Sequence, residues 1–505
     1  MQSTTPRRWR AAAAVAMVVV GLAAAACTNP TPTTPAPNSA GLRADLVAGG
    51  IAVSWAPTTA GQMNGYDLQY RTDGGEWTPV ATDGDNSVAF TAVTPRTRYS
   101  FRVRSKVPTG TPANAFSEAA STWYVEPELP IVRIDTDNAA PILDKENYVR
   151  ATMTLDPNGS GFAAYTGTLG IKGRGNSTWG FPKKPYRLKL DSKSPMMGIA
   201  SSKDWVLLAN WFDKSQIRTS AAEAISKSTD LAWTPTYRHV EVILNGQYVG
   251  VYQFTEAVKP ASARIDIEEL EETDNAEPEI TGGYLLEIDA RLEENDEPGI
   301  RTPRNVPVVI KEPEPATPQQ SAYILGHVQD FEDALFAPNF ADPVNGYRRY
   351  LDVDSFVDHY LVQEITRNGD GFWSSTYFYK ERGDDHFYFG PIWDFDRSIG
   401  SPVTVKPQPA DGWYSRTTAP WVRRLFQDPA FAAEVDARFR ELLPTFSALP
   451  EQLEAVGESL GSAIDNDEAR WAYTVGAADE PEYIEDWLET RLAWMDANST
   501  PAPTP

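Results

Sequence analysis

Two aspartates, Asp394 and Asp396, stand at i and i+2 in GPIWDFDRSIG, directly after a run that alternates like a β-strand. Two carboxylates at that spacing in a loop can reach one hard cation, which takes oxygen ligands. A third acid, Asp370, lies upstream in RNGDGFW, where it can accept a proton from a hydroxyl. The cations come from elsewhere in the chain. Residues 172–190, KGRGNSTWGFPKKPYRLKL, hold Lys172, Arg174, Lys183, Lys184, Arg187 and Lys189 and no acid. A Gly- and Ser-containing turn crowded with cations suits a polyanion such as a nucleoside triphosphate. The same cations would also serve a hairpin that pairs with acidic surface elsewhere, and each Asp taken singly fits a turn or cap.

The flanking patterns say what must position these groups. YTGTLGIKG and PYRLKL alternate like strands on either side of the cationic turn. Residues 213–229 have helical spacing, with Asp213 or Ser215 as its cap. RHVEVILNGQYVGVYQFTE reads as a hairpin around Asn245-Gly246, a type I′ signal. Residues 266–282 are an acidic loop, and GGYLLEID is a strand. Residues 319–337 and 351–367 carry helical periodicity. STYFYKE and HFYFGPIWD form a second hairpin between Asp370 and Asp394. A loop acid, a hairpin and then a metal-binding acid is the order found in protein kinases. The segments 431–443, 450–464 and 482–498 predict a helical lobe under this site.

Composition sets the outer limits. The chain has 505 residues, 45 Lys+Arg against 69 Asp+Glu, one Cys, four His and 15 Trp. A net charge of −24 argues against a nucleic-acid partner. One Cys excludes a disulfide framework, and four scattered His argue against a His-ligated metal. The charge is uneven: residues 41–124 are neutral, whereas 125–498 carry −27. That acidic surface fits a basic, Ser-rich protein substrate.

Residues 41–124 hold short period-two runs separated by Gly, Asn and Asp turns, the pattern of an antiparallel sandwich. The stretch resembles a fibronectin type III domain, with Trp55 in its core and Tyr99 at its tyrosine corner. The motifs IKGRGNSTWGFPKKPYRLKL, DWVLLANWFDKSQIR, VILNGQYVGVYQFTE, GGYLLEID and GPIWDFD, in that order, resemble the CotH family of spore-coat kinases. That resemblance implies a divergent kinase-like fold that transfers the γ-phosphate of ATP, with Mg²⁺, to Ser of a protein. Matched residue by residue, it implies Asp370 as catalytic acid/base, Asp394 as metal ligand and Asp396 as a second ligand. It places Arg174 and Asn176 along the triphosphate, and offers Lys189, Lys184 and Arg187 as competing phosphate-contacting cations. Glu256 stands where a hinge residue meets the adenine, and Glu223 where a partner for the lysine would be. Trp393 is placed to stack a base, although a Trp beside a buried acid also fits a core.

The N-terminus resembles a bacterial lipoprotein signal. Arg7, Arg8 and Arg10 precede an apolar run from Ala11 to Ala26, and the lone Cys27 follows at the lipidation position. Ordinary secretion is the alternative. The expected organisation is therefore a signal over 1–27, a Pro/Thr-rich linker over 28–40, an all-β sandwich over 41–124, an α+β kinase-like domain over 125–498 and a disordered tail over 499–505. The expected function is that of an extracytoplasmic, lipid-anchored kinase acting on envelope or secreted proteins. The alternative is a catalytically weak kinase fold serving surface binding, and a third reading is a glycan-active enzyme using paired carboxylates.

Overall fold

The computed structural model describes residues 41–499, apart from 59–60, 62–63, 112, 403–407, 474 and 477–478. The signal with Cys27, the linker 28–40 and the tail beyond Ser499 lie outside the described residues. Ser499 itself is ordered rather than part of a loose tail: it is buried, and its hydroxyl donates to the Met495 carbonyl (2.8 Å). Among the described residues no helix is long and apolar enough to cross a membrane.

Among the described residues, seven strands precede residue 125: β1 (Arg43–Val47), β2 (Gly50–Ser54), β3 (Tyr66–Thr72), β4 (Thr78–Val80), β5 (Ser87–Phe90), β6 (Thr97–Ser105) and β7 (Ala120–Tyr124). They form two antiparallel sheets, β1-β2-β5 and β4-β3-β6-β7. Alternation makes the sandwich: Tyr99, Phe101 and Val103 of β6 point inward, while Arg98, Arg102 and Arg104 point out. Trp55 packs edge-on against Tyr66 at 5.2 Å. The Tyr99 hydroxyl accepts from the Thr94 amide (2.8 Å), closing the expected corner.

The next seven strands close a barrel: β8 (Ile131–Thr136), β9 (Val149–Asp156), β10 (Tyr165–Gly173), β11 (Tyr186–Met196), β12 (Ile199–Leu208), β13 (Tyr237–Leu244) and β14 (Gln247–Glu256). Their order is β10-β11-β12-β14-β13-β8-β9, and β8 with β13 is the parallel pair. The β13–β14 hairpin turns at Asn245 and Gly246, both left-handed (φ 51° and 76°), as a type I′ turn requires. Helix α1 (Arg218–Lys227) sits between β12 and β13. It begins later than the sequence suggested because Asp213 folds back. Its carboxylate accepts from the Arg218 amide (3.0 Å) and pairs with the Arg218 side chain (2.7 Å).

The barrel carries the sandwich on its hairpin turn. Leu46 N donates to Gly246 O (2.8 Å), Gln247 Nε2 to Ala44 O (2.9 Å), and Arg133 Nη2 to Leu46 O (3.1 Å). Ile243 and Tyr248 complete the sandwich core. The Tyr248 hydroxyl donates to Glu241 (2.8 Å), which also accepts from the amides of Glu128 and Leu129 and from Asn466 Nδ2. One buried carboxylate thus gathers the interdomain linker, the barrel and a C-terminal helix. Tyr248→Phe is expected to cost about 1–3 kcal/mol, because it strips a donor from a buried charge. A urea melt of the full chain measures it; an unchanged midpoint would contradict this role for Glu241.

The rest is a five-stranded sheet, β16-β17-β15-β18-β19, wrapped by helices. Its strands are β15 (Tyr284–Ile288), β16 (Gly299–Arg301), β17 (Pro307–Glu312), β18 (Thr376–Lys380) and β19 (Phe387–Phe389). Helix α2 (Pro318–Phe336) opens with a Thr317/Gln320 capping box, and α3 (Val353–Ile365) is capped by Asp352. Short helices α4 (Ser415–Thr418) and α5 (Pro420–Leu425) lead into α6 (Pro429–Phe446), α7 (Leu449–Leu460), α8 (Ala463–Trp471) and α9 (Pro481–Asn498). Gly461, at φ 49°, splits the expected helix over 450–464 into α7 and α8. Arg491 of α9 and Glu364 of α3 form a fully buried pair (2.8 Å) that fixes the end of α3, and so the loop that follows it.

Candidate active site

A cleft of about 430 Å³ lies between the barrel and the five-stranded sheet. The α3–β18 loop, the loop after β19 and the β10–β11 connection all reach it. Asp370, Asp394, Asp396, Arg174, Asn176 and Trp393 line it together, although they span more than half of the domain in sequence.

The loops are tightly specified. Asn368 uses its side chain to hold Gln363 Oε1 (3.0 Å) and the Asp394 carbonyl (3.4 Å), and it accepts from the Asp370 amide (3.2 Å). Phe372, Ser375 and Asp394 all adopt left-handed backbone (φ 58°, 52° and 68°). Non-glycine residues rarely take that region, and clusters of them mark sites where the fold over-determines the backbone. The Ser375 hydroxyl donates to Asp394 Oδ2 (3.3 Å), and Ser374 to Asp289 (2.8 Å).

The electrostatics are those of crowded acid. The Asp394 carboxylate opens to the cleft, while protein surrounds it on its other sides. That desolvation, and then the charge of Asp370, raises its pKa, against the pull of Arg174. Asp396 is buried, and desolvation followed by the charges of Asp394, Asp213 and Asp370 pushes its pKa well up. Arg397 stands 3.8 Å from Asp370. The Arg174 guanidinium lies over the Trp393 ring at 5.3 Å. That contact occupies a face of Trp393, whose ring is buried beside Val206 and Ala257, so the tryptophan seats the arginine rather than offering a free platform for a base.

Among the described residues, no three His, Cys, Asp or Glu side chains converge as a ready-made metal cage. Mg²⁺ does not need one, since it binds through one or two carboxylates plus waters and substrate phosphates. The mutually repelling oxygen donors of Asp394 and Asp396 fit that ion.

Other expected residues lie elsewhere, which corrects the reading of the cationic strip. Arg187 pairs with Asp204 on the barrel wall (3.2 Å) and Lys189 is exposed on the same strand. Lys184 donates to the Trp179 carbonyl (2.5 Å), and Lys183 is buried against Asp467 (2.8 Å). Lys172, Arg187 and Lys189 share the outer face of the barrel, and Lys183 and Lys184 sit in the β10–β11 connection with partners of their own, so of the six cations only Arg174 lines the cleft. Glu256 is buried at the end of β14, where it accepts from the Thr236 amide (3.1 Å) and pairs with Arg264 (3.4 Å), away from the cleft. Glu223 pairs with Lys227 one turn along its own helix (2.5 Å) and lines a second cavity of about 830 Å³.

The sequence reading missed the cleft's lysine. Lys311 of β17 lies 2.9 Å from Glu297 and 3.5 Å from Glu287 of β15, and all three line the cleft. Burial raises Glu287 to about 7, with Lys311 pulling the other way. Arg291 and Arg397 add two more cations. A signal was present: YLLEI carries one charge in an otherwise apolar strand and PVVIKE sets Lys311 directly after an apolar run, and such charges need a partner or a task.

The profile described as CotH kinase protein matches residues 171–495, and that of the fibronectin type III domain matches residues 35–120. No curated protein sequence matches significantly. The chain thus belongs to the CotH family, its CotH domain preceded by a fibronectin type III domain.

Proposed function

We infer that the CotH domain has a divergent kinase fold and transfers the γ-phosphoryl group of ATP to a Ser or Thr hydroxyl of a protein. The carrying observation is the convergence of Asp370, Asp394 and Asp396 with Arg174 in one cleft. In this reading Asp370 takes the proton of the substrate hydroxyl as its oxygen bonds to the γ-phosphorus. The bond from that phosphorus to the β–γ bridging oxygen breaks, and ADP leaves. Arg174 and Lys311 hold phosphate oxygens by charge and hydrogen bonds. Asp394 and Asp396 would hold Mg²⁺, which neutralises developing phosphate charge when bound. Asn368 and Ser375 keep the two acidic loops in register.

The test is transfer of labelled γ-phosphate from ATP to a Ser peptide, with the melting temperature followed in parallel. Magnesium-dependent transfer and a Mg-ATP-dependent rise in melting temperature support the reading. Absence of both would leave a kinase-derived binding module. The −27 charge of residues 125–498 supports a basic substrate. A Lys-rich Ser peptide should then outrun a neutral one at low salt, and equal rates would refute that preference.

The N-terminal sequence supports export, with Cys27 as the lipid anchor that holds the kinase outside the membrane. Cys27→Ser is expected to move the protein from the membrane fraction to the medium and to abolish labelling by palmitate. Unchanged partition would refute the anchor.

A further inference from the structure

The outer face of the sandwich's four-stranded sheet differs in charge from the rest of this acidic chain. Guanidiniums and aromatic rings alternate along it. Arg71 lies 4.6 Å from the centre of the Trp77 ring, and Arg102 lies 4.2 Å from that ring and 4.2 Å from Phe116. Arg104 follows at 4.4 Å from Phe116. Arg98 and Lys106 extend the row at its two ends.

The acids opposite are too few. Asp67 serves both Arg104 (2.9 Å) and Lys106 (3.8 Å), and Asp73 reaches Arg98 only at 3.9 Å. Among the described residues, no carboxylate lies within ion-pair distance of Arg71 or Arg102. Arg102 is held by the neutral Gln69 amide oxygen (2.6 and 2.9 Å). After desolvation, the charges of Arg71 and Arg104 are what lower its pKa, so the cations repel one another. The rings fix each guanidinium in one plane, which cuts the entropy lost when an anion docks. Planar guanidiniums match carboxylates bidentately.

We propose that this face binds a linear acidic polysaccharide. The surface is the outer face of a sheet and lines none of the cavities described above, and a protein partner normally brings apolar anchors that need pockets. A nucleic acid carries a charge about every 1.7 Å of duplex and would be repelled by the −27 of the neighbouring domain. A glycan with one carboxylate every sugar or two is sparse enough to pair with the row and avoid that field. The site is independent of the proposed phosphoryl transfer.

The test uses the full chain and immobilised polygalacturonate, with neutral dextran as control. Retention on polygalacturonate alone, weakening with salt, is expected. In the Arg71→Gln/Arg102→Gln double variant affinity should fall by more than about tenfold, as truncation of two central contacts does. Its melting temperature and Mg-ATP response should stay unchanged. If the double variant folds poorly, Arg71→Gln alone carries the test, since Arg71 is exposed. No retention at low salt, or retention equal in the variant, would overturn the proposal. So would equal or tighter binding of duplex DNA or polyglutamate.

Discussion

Asp394→Asn is expected to abolish phosphoryl transfer, by about 10³-fold or more, while the ligand-free protein melts higher than wild type. Both effects come from the same carboxylate. Asp394 is crowded by the charges of Asp370 and Asp396, and its exposure to the cleft lets solvent screen part of that repulsion. Ionised and without a cation, it opposes the fold. The amide is of the same size, can still accept from Ser375, and carries no charge. A gain of about 1–3 °C is the expected scale for relieving one such repulsion in a domain this large. With Mg-ATP the order should reverse. Wild type then gains stability by mass action, and the variant, lacking its metal ligand, gains little. Calorimetric melting of both proteins, with and without Mg-ATP, reads all four values. A variant that melts no higher than wild type without ligand would refute the strained-acid account. A full Mg-ATP shift in the variant would refute Asp394 as a metal ligand.

The second large effect concerns the lysine of β17. Lys311→Met should lower kcat/KM for ATP by about 10²–10³-fold, since it removes the cleft's lysine and leaves Glu287 and Glu297 facing the phosphates unscreened. Glu287→Gln should act more gently and through pH. The wild-type Glu287 pKa is raised to about 7, so this carboxyl is neutral in acid and ionised in base. Lys311 is held by one carboxylate below that pH and by two above it. Activity should therefore climb as pH rises through about 7, and the glutamine variant should lose that limb. The stability contribution runs the other way. A carboxyl whose folded pKa lies above its unfolded value near 4.5 stabilises the fold most in acid, and that contribution fades as pH rises to about 7. Rate and melting profiles across this range, taken on both proteins, decide it. An unchanged acid limb in Glu287→Gln would assign the titration to another group.

The features legible in sequence were the local ones. The Asn245-Gly246 hairpin, the helix over 319–337 and the alternation of β6 depend on neighbours within a few residues, and each formed. Asp370 and Asp394 were legible because the loop–hairpin–loop between them fixes their separation. What stayed hidden was pairing across the chain. The cationic strip looked like one site, yet Lys172, Arg187 and Lys189 lie on the outer face of the barrel, and Lys183 finds its partner 284 residues away. Closure of the barrel rests on the parallel β8–β13 contact, which no local pattern announces. Lys311 and Glu287 meet only because β17 lies beside β15. The alternating rings and guanidiniums escaped notice for the same reason, since Trp77 and Phe116 come from different connections.

The buried ties between barrel and helices bear on how a catalytic cycle can proceed. Asp467 of α8 holds Lys183 and also accepts from the Val251 amide, while Arg218 binds Asp213, Asp479 and the Ile399 carbonyl. Several charged contacts closed to water would have to part before one half could swing against the other, and opening even one such pair is costly. Turnover in this protein should therefore proceed without lobe rotation, nucleotide entering and leaving by side-chain rearrangement at the mouth. Small-angle scattering profiles with and without Mg-ATP should superimpose, and a contracted particle on nucleotide binding would show that the clamp yields.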